Sequence, residues 1–291
     1  MTRANFPRPA QFVLALLCAV GAAGAPAKAD PPRRVVSFNN CADQLVVALA
    51  DPAQVVGLSP YATNPTLSAV AEEARAYRRI QWHAESVVPL DPDLVLVGPR
   101  DRSVTQRLLG ALGFRVVSVE FVSTIAAARA QIREVAALLG HPERGEQLLS
   151  RLDAARARLA TVPRPRASTA LLVGHGGYTE GPTSLAAGLI AEAGLEPPAG
   201  APAGIGGFVP LETLVMMRPD LLVMYNMIEV PRDQGSVYLT HPAVKELYPP
   251  SRRLILPYRY TACGGPGLVT GLDLLADQLA KLAATSAPTP R

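Results

Sequence analysis

The chain has 291 residues, of which 49% are hydrophobic and 18% charged, and its formal net charge is +4. This apolar composition excludes a disordered chain, and three cysteines are too few for a small domain built on disulfides. The length suits one large or two medium globular domains.

The first 29 residues differ from the rest of the chain because they carry three basic side chains and no acid. A basic start precedes an apolar run from Phe12 to Val20, and the segment ends in Ala-Lys-Ala, the small-x-small pattern that signal peptidase cleaves. The apolar run is too short to span a bilayer. We therefore predict a signal peptide over residues 1–29, cleaved near Ala29, and an exported protein without stable membrane insertion.

The net charge is small once this segment is set aside. Twenty-five basic and 24 acidic side chains remain, a net charge of +1. Binding to nucleic acid needs a basic surface that neutralises phosphates, so we predict no nucleic-acid partner.

Short apolar runs alternate with helical patterns along the mature chain. Continuous apolar runs between helices are typical of strands in largely parallel sheets. The runs are Val35–Phe38, Val55–Ser59, Leu94–Gly98, Arg115–Glu120, Ala170–His175, Leu221–Asn226 and Leu254–Pro257. The pattern predicts an α/β fold.

The middle of the chain is helical. From Thr124 to Leu139 apolar residues recur at helical spacing, Gly140-His141-Pro142 breaks the helix, and a second helix runs to about residue 160. At about 28 Å, the second helix is long enough to cross a small domain.

We therefore predict two lobes, each with a mostly parallel central sheet flanked by helices, joined by a long connector helix. The predicted boundaries are 1–29 for the signal peptide, 30–122 for the N-terminal lobe, 123–162 for the connector, 163–282 for the C-terminal lobe and 283–291 for a disordered tail.

One internal repeat links the two predicted lobes. The segment Glu85–Val97 (ESVVPLDPDLVLV) aligns without gaps with Glu212–Met224 (ETLVMMRPDLLVM). The Pro-Asp turn and the buried strand are common structural features of α/β proteins. A helix start accepts Asp, Ser or Thr as readily as Glu, so the shared glutamate indicates a partner that presents two equivalent sites.

The sequence resembles the periplasmic substrate-binding proteins of ABC importers for cobalamin, ferric siderophores and haem, over nearly the whole mature chain. Residues 34–45 (RVVSFNNCADQL) are similar to the family's opening strand, cleft loop and first helix, and residues 55–61 (VVGLSPY) resemble the second strand and loop of the cobalamin binders. The connector helix resembles the rigid helix of this class, which implies small lobe motions.

The resemblance implies a function and two partners. The protein would be a periplasmic, monomeric receptor without enzymatic activity or intrinsic cofactor. It would capture an iron-siderophore, haem or cobalamin-type metal chelate between its lobes and deliver it to an ABC permease dimer. Glu85 and Glu212 would dock onto arginines of that two-fold symmetric permease. Carboxylate–arginine pairs are bidentate and directional, so two glutamates would set the register of the complex.

Candidate ligand-binding side chains follow the strand ends, where ligands bind in α/β sheets. Aromatic rings and arginines suit a bulky chelate with carboxylates or negative charge. The candidates are Asn40, Tyr61, Trp82, His83, Arg100, Tyr178, Asn226, Tyr258 and Arg259. Each of them taken singly is also consistent with a surface or packing role.

Cys41 and Cys263 lie in loops expected at the cleft, one from each lobe. They could form a disulfide that pins the lobes if their Cα atoms lie within about 7 Å. The alternatives are two independent small residues and thiolate ligation of a ligand's iron. The two segments also resemble those of a subgroup of the family that carries a cysteine at both places.

Two other functions stay open. A receptor for free zinc or manganese needs three or four converging ligands, and His83, Glu120 and His175 are candidates without a spacing signature. The segment Gly174–Gly177 (GHGG) is similar to the loop that forms an esterase oxyanion hole. The sequence lacks G-x-S-x-G, P-loop, H-E-x-x-H and C-x-x-C motifs, which disfavours an α/β hydrolase.

Overall fold

The structure, a computed structural model, describes residues 30–99, 103–163, 169–226 and 233–286. The predicted signal peptide, Arg100 and residues 287–291 lie outside this part of the chain. Contacts divide the chain into two units, Met1–Asp30 and Pro31–Arg291, and the described helices and strands lie in the second.

A four-stranded parallel sheet forms the N-terminal lobe, with strand order β2-β1-β3-β4. Its strands are β1 Val35–Ser37, β2 Val55–Gly57, β3 Leu94–Val97 and β4 Val116–Ser118. Every residue of β1 and β3 is buried, as continuous apolar runs require in a sheet covered on both faces. The helices of this lobe are α1 Asn40–Leu49 and α2 Ser103–Ala111.

Two helices, α3 Ile125–Leu139 and α4 Pro142–Thr161, connect this lobe to the next sheet. The hydroxyl of Thr124 accepts the N–H of Ala127 at 3.1 Å and caps α3. Gly140 ends the helix with a φ of 85°, a left-handed conformation that glycine adopts without steric cost. The next helix begins one residue after His141, with proline in its first turn.

The C-terminal lobe contains a three-stranded parallel sheet, with order β5-β8-β9, and an antiparallel pair, β6-β7. Its strands are β5 Ala170–Val173, β6 Tyr178–Glu180, β7 Gly206–Phe208, β8 Leu221–Met224 and β9 Arg253–Ile255. Its helices are α5 Leu185–Glu192, α6 Leu211–Met217, α7 Gln234–Thr240 and α8 Pro242–Leu247.

The last helix, α9 Gly267–Ser286, returns along α4. Arg158 of α4 joins the two helices through ion pairs with Asp273, at 3.0 Å, and Asp277. The predicted disordered tail starts at residue 283, whereas α9 continues to Ser286.

The prediction of an α/β fold with two lobes, mostly parallel sheets and a long connector helix is confirmed. The sequence did not predict β6 and β7, because Gly206 and Gly207 read as turn residues. Glycine is required at Gly206, where φ is 115° and a β-carbon would lie 2.2 Å from the carbonyl oxygen of Thr179.

The internal repeat forms the same structural unit in both lobes. Glu85 lies in a 3-10 helix, Ala84–Ser86, and Glu212 lies in the first turn of α6. Asp91 and Arg218, at matching positions after them, have φ values of 41° and 46°. They are the only non-glycine residues with positive φ among those described, so the two units share an uncommon backbone path.

The aspartate of each Pro-Asp turn ties the repeat to the start of a neighbouring strand. Asp93 accepts the backbone N–H of Arg33 at 2.7 Å and of Arg34 at 3.0 Å, just before β1. Asp220 accepts the N–H and the hydroxyl of Thr169, both at 2.9 Å, just before β5. These bonds explain the Pro-Asp pair structurally and leave the exposed glutamates without such a role.

Candidate ligand-binding site

A cavity of about 670 Å³ opens beside the antiparallel pair of the C-terminal lobe. Its volume lies within the range of about 300 to 1,000 Å³ that is typical of small-molecule sites. We call it the aromatic cavity, after the four rings in its lining. Its main aromatic and charged lining residues are His175, Tyr178, Glu180, Phe208, Tyr225 and Tyr258. A second, apolar cavity inside this lobe has only about 120 Å³, too little for a chelate.

Strands β6 and β7 supply one pair of aromatic rings to the cavity. Tyr178 and Phe208 are direct cross-strand partners, and their rings meet edge to face with centroids 5.6 Å apart. Such pairs stabilise one another across a sheet. Phe208 nevertheless keeps 71% of its surface exposed, which is more than packing alone would leave on a large apolar side chain.

Tyr225 and Tyr258 supply the second pair, with centroids 5.6 Å apart and planes nearly perpendicular. The Tyr225 hydroxyl donates a hydrogen bond to a carboxylate oxygen of Glu180. Burial, followed by the charge of Glu180, raises the pKa of Tyr225 far above its ordinary value, and the same two causes raise the pKa of Tyr258. Both phenols therefore remain protonated at neutral pH.

His175 lies on the turn directly after β5 and pairs with Asp233. Its Nε2 is 2.7 Å from Oδ1 of Asp233, and 65% of the histidine side chain is exposed. The same Oδ1 accepts the backbone N–H of Ser236 at 2.8 Å and caps α7. The pKa of Asp233 is lowered first by this backbone bond and then by the bond to His175, so the carboxyl group is ionised.

The N-terminal lobe carries a separate aromatic cluster. Trp82 contacts Tyr61 and Phe38 edge to face, at centroid distances of 5.0 and 5.7 Å. Phe38 is buried, Trp82 is partly buried, and Tyr61 is 45% exposed. Of the predicted ligand residues in this lobe, Tyr61 thus presents an aromatic surface to solvent.

A buried carboxyl group positions the loop that carries Tyr61. Asp43 accepts the N–H of Ser59 at 3.0 Å and its hydroxyl at 2.6 Å, and the N–H of Tyr61 donates to the Ser59 hydroxyl at 3.2 Å. Burial raises the pKa of Asp43 to about 7, against the opposing effect of hydrogen bonds from Ser37 and Ser59.

Cys41 and Cys263 are joined by a disulfide, with their Cα atoms 5.2 Å apart. Asn40, next to it, donates to the carbonyl of Leu67 at 3.0 Å. Its Oδ1 is buried and has no hydrogen-bond partner among the described residues. Asn40 therefore belongs to the contacts around the disulfide.

Arg259 also joins the lobes. Its guanidinium donates to the carbonyl of Pro65 at 2.6 Å and to the hydroxyl of Tyr260 at 2.9 Å, and it lies 4.7 Å from the centre of the Tyr260 ring. These contacts engage two of the guanidinium's N–H donors.

The other predicted residues lie outside the aromatic cavity. His83 contacts Glu85 at 3.2 Å, and both side chains are exposed. Asn226 is exposed, while Tyr225, one residue earlier, lines the cavity. Arg100 lies outside the described residues. Of the predicted residues that are described, Tyr178 and Tyr258 line the cavity.

The structure does not bring His83, Glu120 and His175 together. Within the described part of the chain, no group of three histidine, cysteine or carboxylate side chains is placed to hold a metal ion. In the same described part of the chain, no helix is both long enough and apolar enough to cross a membrane.

The residues that line the cavity but were not among the predicted ligand residues include Glu180, Phe208 and Tyr225. Asp233, which contacts the cavity residue His175, was also not predicted. Glu180 and Phe208 lie on the short strands that the sequence did not predict. Asp233 precedes Ser236 by three residues, a capping pattern readable from sequence. That pattern marks a helix start and does not indicate the contact with His175.

Comparison with known protein families identifies the family to which this chain belongs. Residues 35–246 match the family described as periplasmic binding protein. Because the match covers well over half of the chain, the protein belongs to the periplasmic binding protein family, and the predicted resemblance is confirmed. None of the curated proteins matches the sequence.

Solved structures of this class are similar over most of the chain. The periplasmic haem-binding protein BhuT, in complex with two haems, has a TM-score of 0.66 and 21% identity, over 87% of this chain and 99% of that one. The apo periplasmic haem-binding protein RhuT from Roseiflexus sp. RS-1 has a TM-score of 0.66 and 23% identity, over 86% and 99%. The periplasmic vitamin B12 binding protein BtuF of Vibrio cholerae has a TM-score of 0.63 and 15% identity, over 87% and 98%. At these identities the likeness establishes the fold.

Proposed function

We propose that this protein is an exported periplasmic receptor that captures an iron-siderophore, haem or cobalamin-type metal chelate and delivers it to an ABC importer. It acts as a monomer, without catalysis and without an intrinsic cofactor. Residues 1–29 direct its export and are cleaved near Ala29. The observation that carries the proposal is the aromatic cavity, which lies at the strand ends of a binding-protein fold.

The chemistry of the cavity suits the organic part of a chelate. Tyr178 and Phe208 offer exposed ring surface for apolar and π contacts. Tyr225 and Tyr258 keep their phenolic protons. The Tyr225 hydroxyl donates its hydrogen bond to Glu180, and the hydroxyl of Tyr258 can donate to a ligand oxygen. Without a cluster of three metal ligands among the described residues, this chemistry favours a chelated metal over a bare ion.

The two repeated glutamates fit the docking role. Glu85 and Glu212 are exposed at matching positions of the same structural unit, one in each lobe. A two-fold symmetric permease would present one basic site to each. Because exposed ion pairs contribute only about 0 to 1 kcal/mol each, the pairs would mainly fix orientation, and burial at the interface would strengthen them.

A ligand panel tests the receptor function. The mature chain, residues 30–291, is titrated with haemin, cyanocobalamin, ferrichrome and ferric enterobactin while the fluorescence of Trp82, the sole tryptophan, is recorded. We expect one of these classes to bind saturably. Tyr178→Ala with Phe208→Ala should weaken that binding at least about tenfold, because two aromatic contacts at about 0.5 to 1.5 kcal/mol each are lost together with buried area.

The matched control is Val104→Ala, an exposed apolar residue on α2 that does not line the aromatic cavity. It should bind like the wild type. Binding of none of the four compounds, or equal binding by the cavity variant and the wild type, would contradict the proposed function.

A further inference from the structure

Glu180 places a carboxylate beside the rings of the aromatic cavity. The side chain is partly buried, and its Oε1 accepts a hydrogen bond from the hydroxyl of Tyr225. A carboxylate offers about four lone-pair sites, and among the described residues none forms an ion pair with Glu180. Most of its capacity to accept hydrogen bonds, and its negative charge, therefore remain available to a ligand.

The pairing of β6 with β7 directs this carboxylate towards the cavity. Tyr178 and Glu180 are two residues apart on β6 and point to one side of the strand, while Thr179 between them is buried. Tyr178 lies opposite Phe208, and Glu180 lies opposite Gly206. Because glycine has no side chain, the position opposite the carboxylate leaves it uncovered. One face of the strand pair thus presents two rings and a carboxylate to the cavity.

The charge of Glu180 also acts on the second pair of rings. After burial, it is the next cause that raises the pKa of Tyr225 and of Tyr258. Both phenols stay protonated and add no charge of their own. The face of an aromatic ring carries the negative part of its quadrupole. The carboxylate and the ring faces around it therefore favour the same kind of ligand group, a cation.

The other charged groups at the cavity do not offset this negative charge. His175 pairs with the ionised carboxylate of Asp233, with Nε2 2.7 Å from Oδ1. Even if this imidazole is protonated, two carboxylates face one positive charge. The lining residues within the described ranges include no lysine or arginine. A ligand group with negative charge would meet uncompensated like charge here.

A purely structural role does not account for a carboxylate at this position. The Tyr225 hydroxyl needs only an acceptor, and an amide oxygen would serve equally well. A partly buried charge without a cationic partner carries a desolvation cost that a neutral acceptor avoids. A ligand that supplies the cation removes this mismatch, and ring faces attract a cation that lies within about 6 Å of their centres.

We propose that Glu180 determines the charge selectivity of the aromatic cavity: its carboxylate forms an ion pair with an ammonium or guanidinium group of the ligand, and the surrounding ring faces contact the same group. This inference rests on the proposed function and narrows its cargo to metal chelates that carry a cationic group. Chelates that present only anionic groups bind weakly.

Three ferric chelates with the same trihydroxamate metal site isolate the charge. Ferrioxamine B carries a free ammonium group, its N-acetyl derivative has lost that charge, and the cyclic ferrioxamine E has no amine. The mature wild type, Glu180→Gln and Glu196→Gln are titrated with each chelate by isothermal titration calorimetry at low and high salt. The wild type should bind ferrioxamine B at least about tenfold more tightly than the N-acetyl derivative, and high salt should reduce this preference.

Glu180→Gln removes the charge and keeps an acceptor for the Tyr225 hydroxyl. Its affinity for ferrioxamine B should fall at least about tenfold, to that for the N-acetyl derivative. Its affinity for the two neutral chelates should stay within about twofold of the wild type, whereas a structural defect would lower all three affinities alike. Glu196→Gln, at an exposed glutamate of the same lobe outside the cavity lining, should match the wild type.

The failures are distinguishable. If the wild type binds ferrioxamine B and its N-acetyl derivative equally, or Glu180→Gln keeps the preference, the inference is wrong while the receptor function stands. If haemin, cyanocobalamin, ferrichrome or ferric enterobactin binds and ferrioxamine B does not, the inference is likewise wrong. If none of these compounds binds, the proposed function itself fails.

Discussion

Asp43 shows how one buried group connects the core to the candidate site. Its carboxyl group is fully buried and accepts two hydrogen bonds from Ser59, and the Ser59 hydroxyl in turn accepts the N–H of Tyr61. Its pKa is raised to about 7 because burial disfavours the charged form. The folded protein therefore binds a proton between about pH 4 and pH 7 that the unfolded chain releases.

This proton makes stability depend on pH. The contribution of protonated Asp43 to the free energy of unfolding is fully present below about pH 4 and is lost as the pH rises through 7. Between pH 5 and pH 8 the free energy of unfolding falls by an amount on the order of 2 kcal/mol. Asp43→Asn removes the titration, so its free energy of unfolding should fall less over this range than that of the wild type. Urea unfolding at pH 5, 6, 7 and 8 measures the difference.

The control for this prediction is Asp277→Asn, at an exposed carboxylate on α9. It should keep the pH slope of the wild type. Identical slopes for Asp43→Asn and the wild type would show that Asp43 does not retain its proton in the folded state.

Individual binding residues were the least predictable part of the site. The sequence placed Tyr178 and Tyr258 shortly after the ends of β5 and β9, because strand ends follow from apolar runs, although Tyr178 lies on the unpredicted strand β6. It did not show that Tyr225 rather than Asn226 lines the cavity. Successive side chains of an extended chain point to opposite sides, so an error of one residue selects the wrong side chain. Nor did it show that the guanidinium of Arg259 contacts Pro65, because that bond depends on how the two lobes meet.

At the scale of elements, the sequence predicted the central strands and the connector helices well. Strands β1, β3, β5 and β8 are continuous apolar runs, and α3 and α4 have clear starts and stops in Thr124, Gly140 and a proline. Strands β6 and β7 have three residues each and include two consecutive glycines. Their pairing depends on close backbone approach, which has no periodic signature.

The repeated glutamate units allow a prediction about transport. Glu85→Gln with Glu212→Gln should reduce cellular uptake of the panel chelate that binds most tightly at least about tenfold, because both charged contacts of the proposed docking to the permease would be lost. The affinity of the purified receptor for that chelate should stay within about twofold of the wild type, since neither residue lines the aromatic cavity.

The control pair is Glu72→Gln with Glu146→Gln, two exposed glutamates outside the repeat. Uptake with this pair should equal that of the wild type. Normal uptake by the Glu85/Glu212 variant would contradict a docking role for these two residues.

At the scale of the whole molecule, several contacts join the two lobes beside α9. They include the disulfide between Cys41 and Cys263, 222 positions apart in sequence, the bond from Arg259 to Pro65, and the contact of Asn40 with the sulfur of Cys263 at 3.9 Å. Together with the connector helices, these contacts favour small lobe motions. The sequence left the cysteine pairing open, because the distance between two loops is a property of the assembled fold.

The central claim is that a metal chelate binds in the aromatic cavity. Hydrogen exchange of the mature protein, followed by mass spectrometry with and without the tightest-binding chelate of the panel, tests where the chelate lies. We predict slower exchange in peptides that cover residues 175–180, 206–208 and 258–262, with little change in α4. Unchanged exchange in these peptides at saturating chelate, or slowing confined to other segments, would contradict the claim.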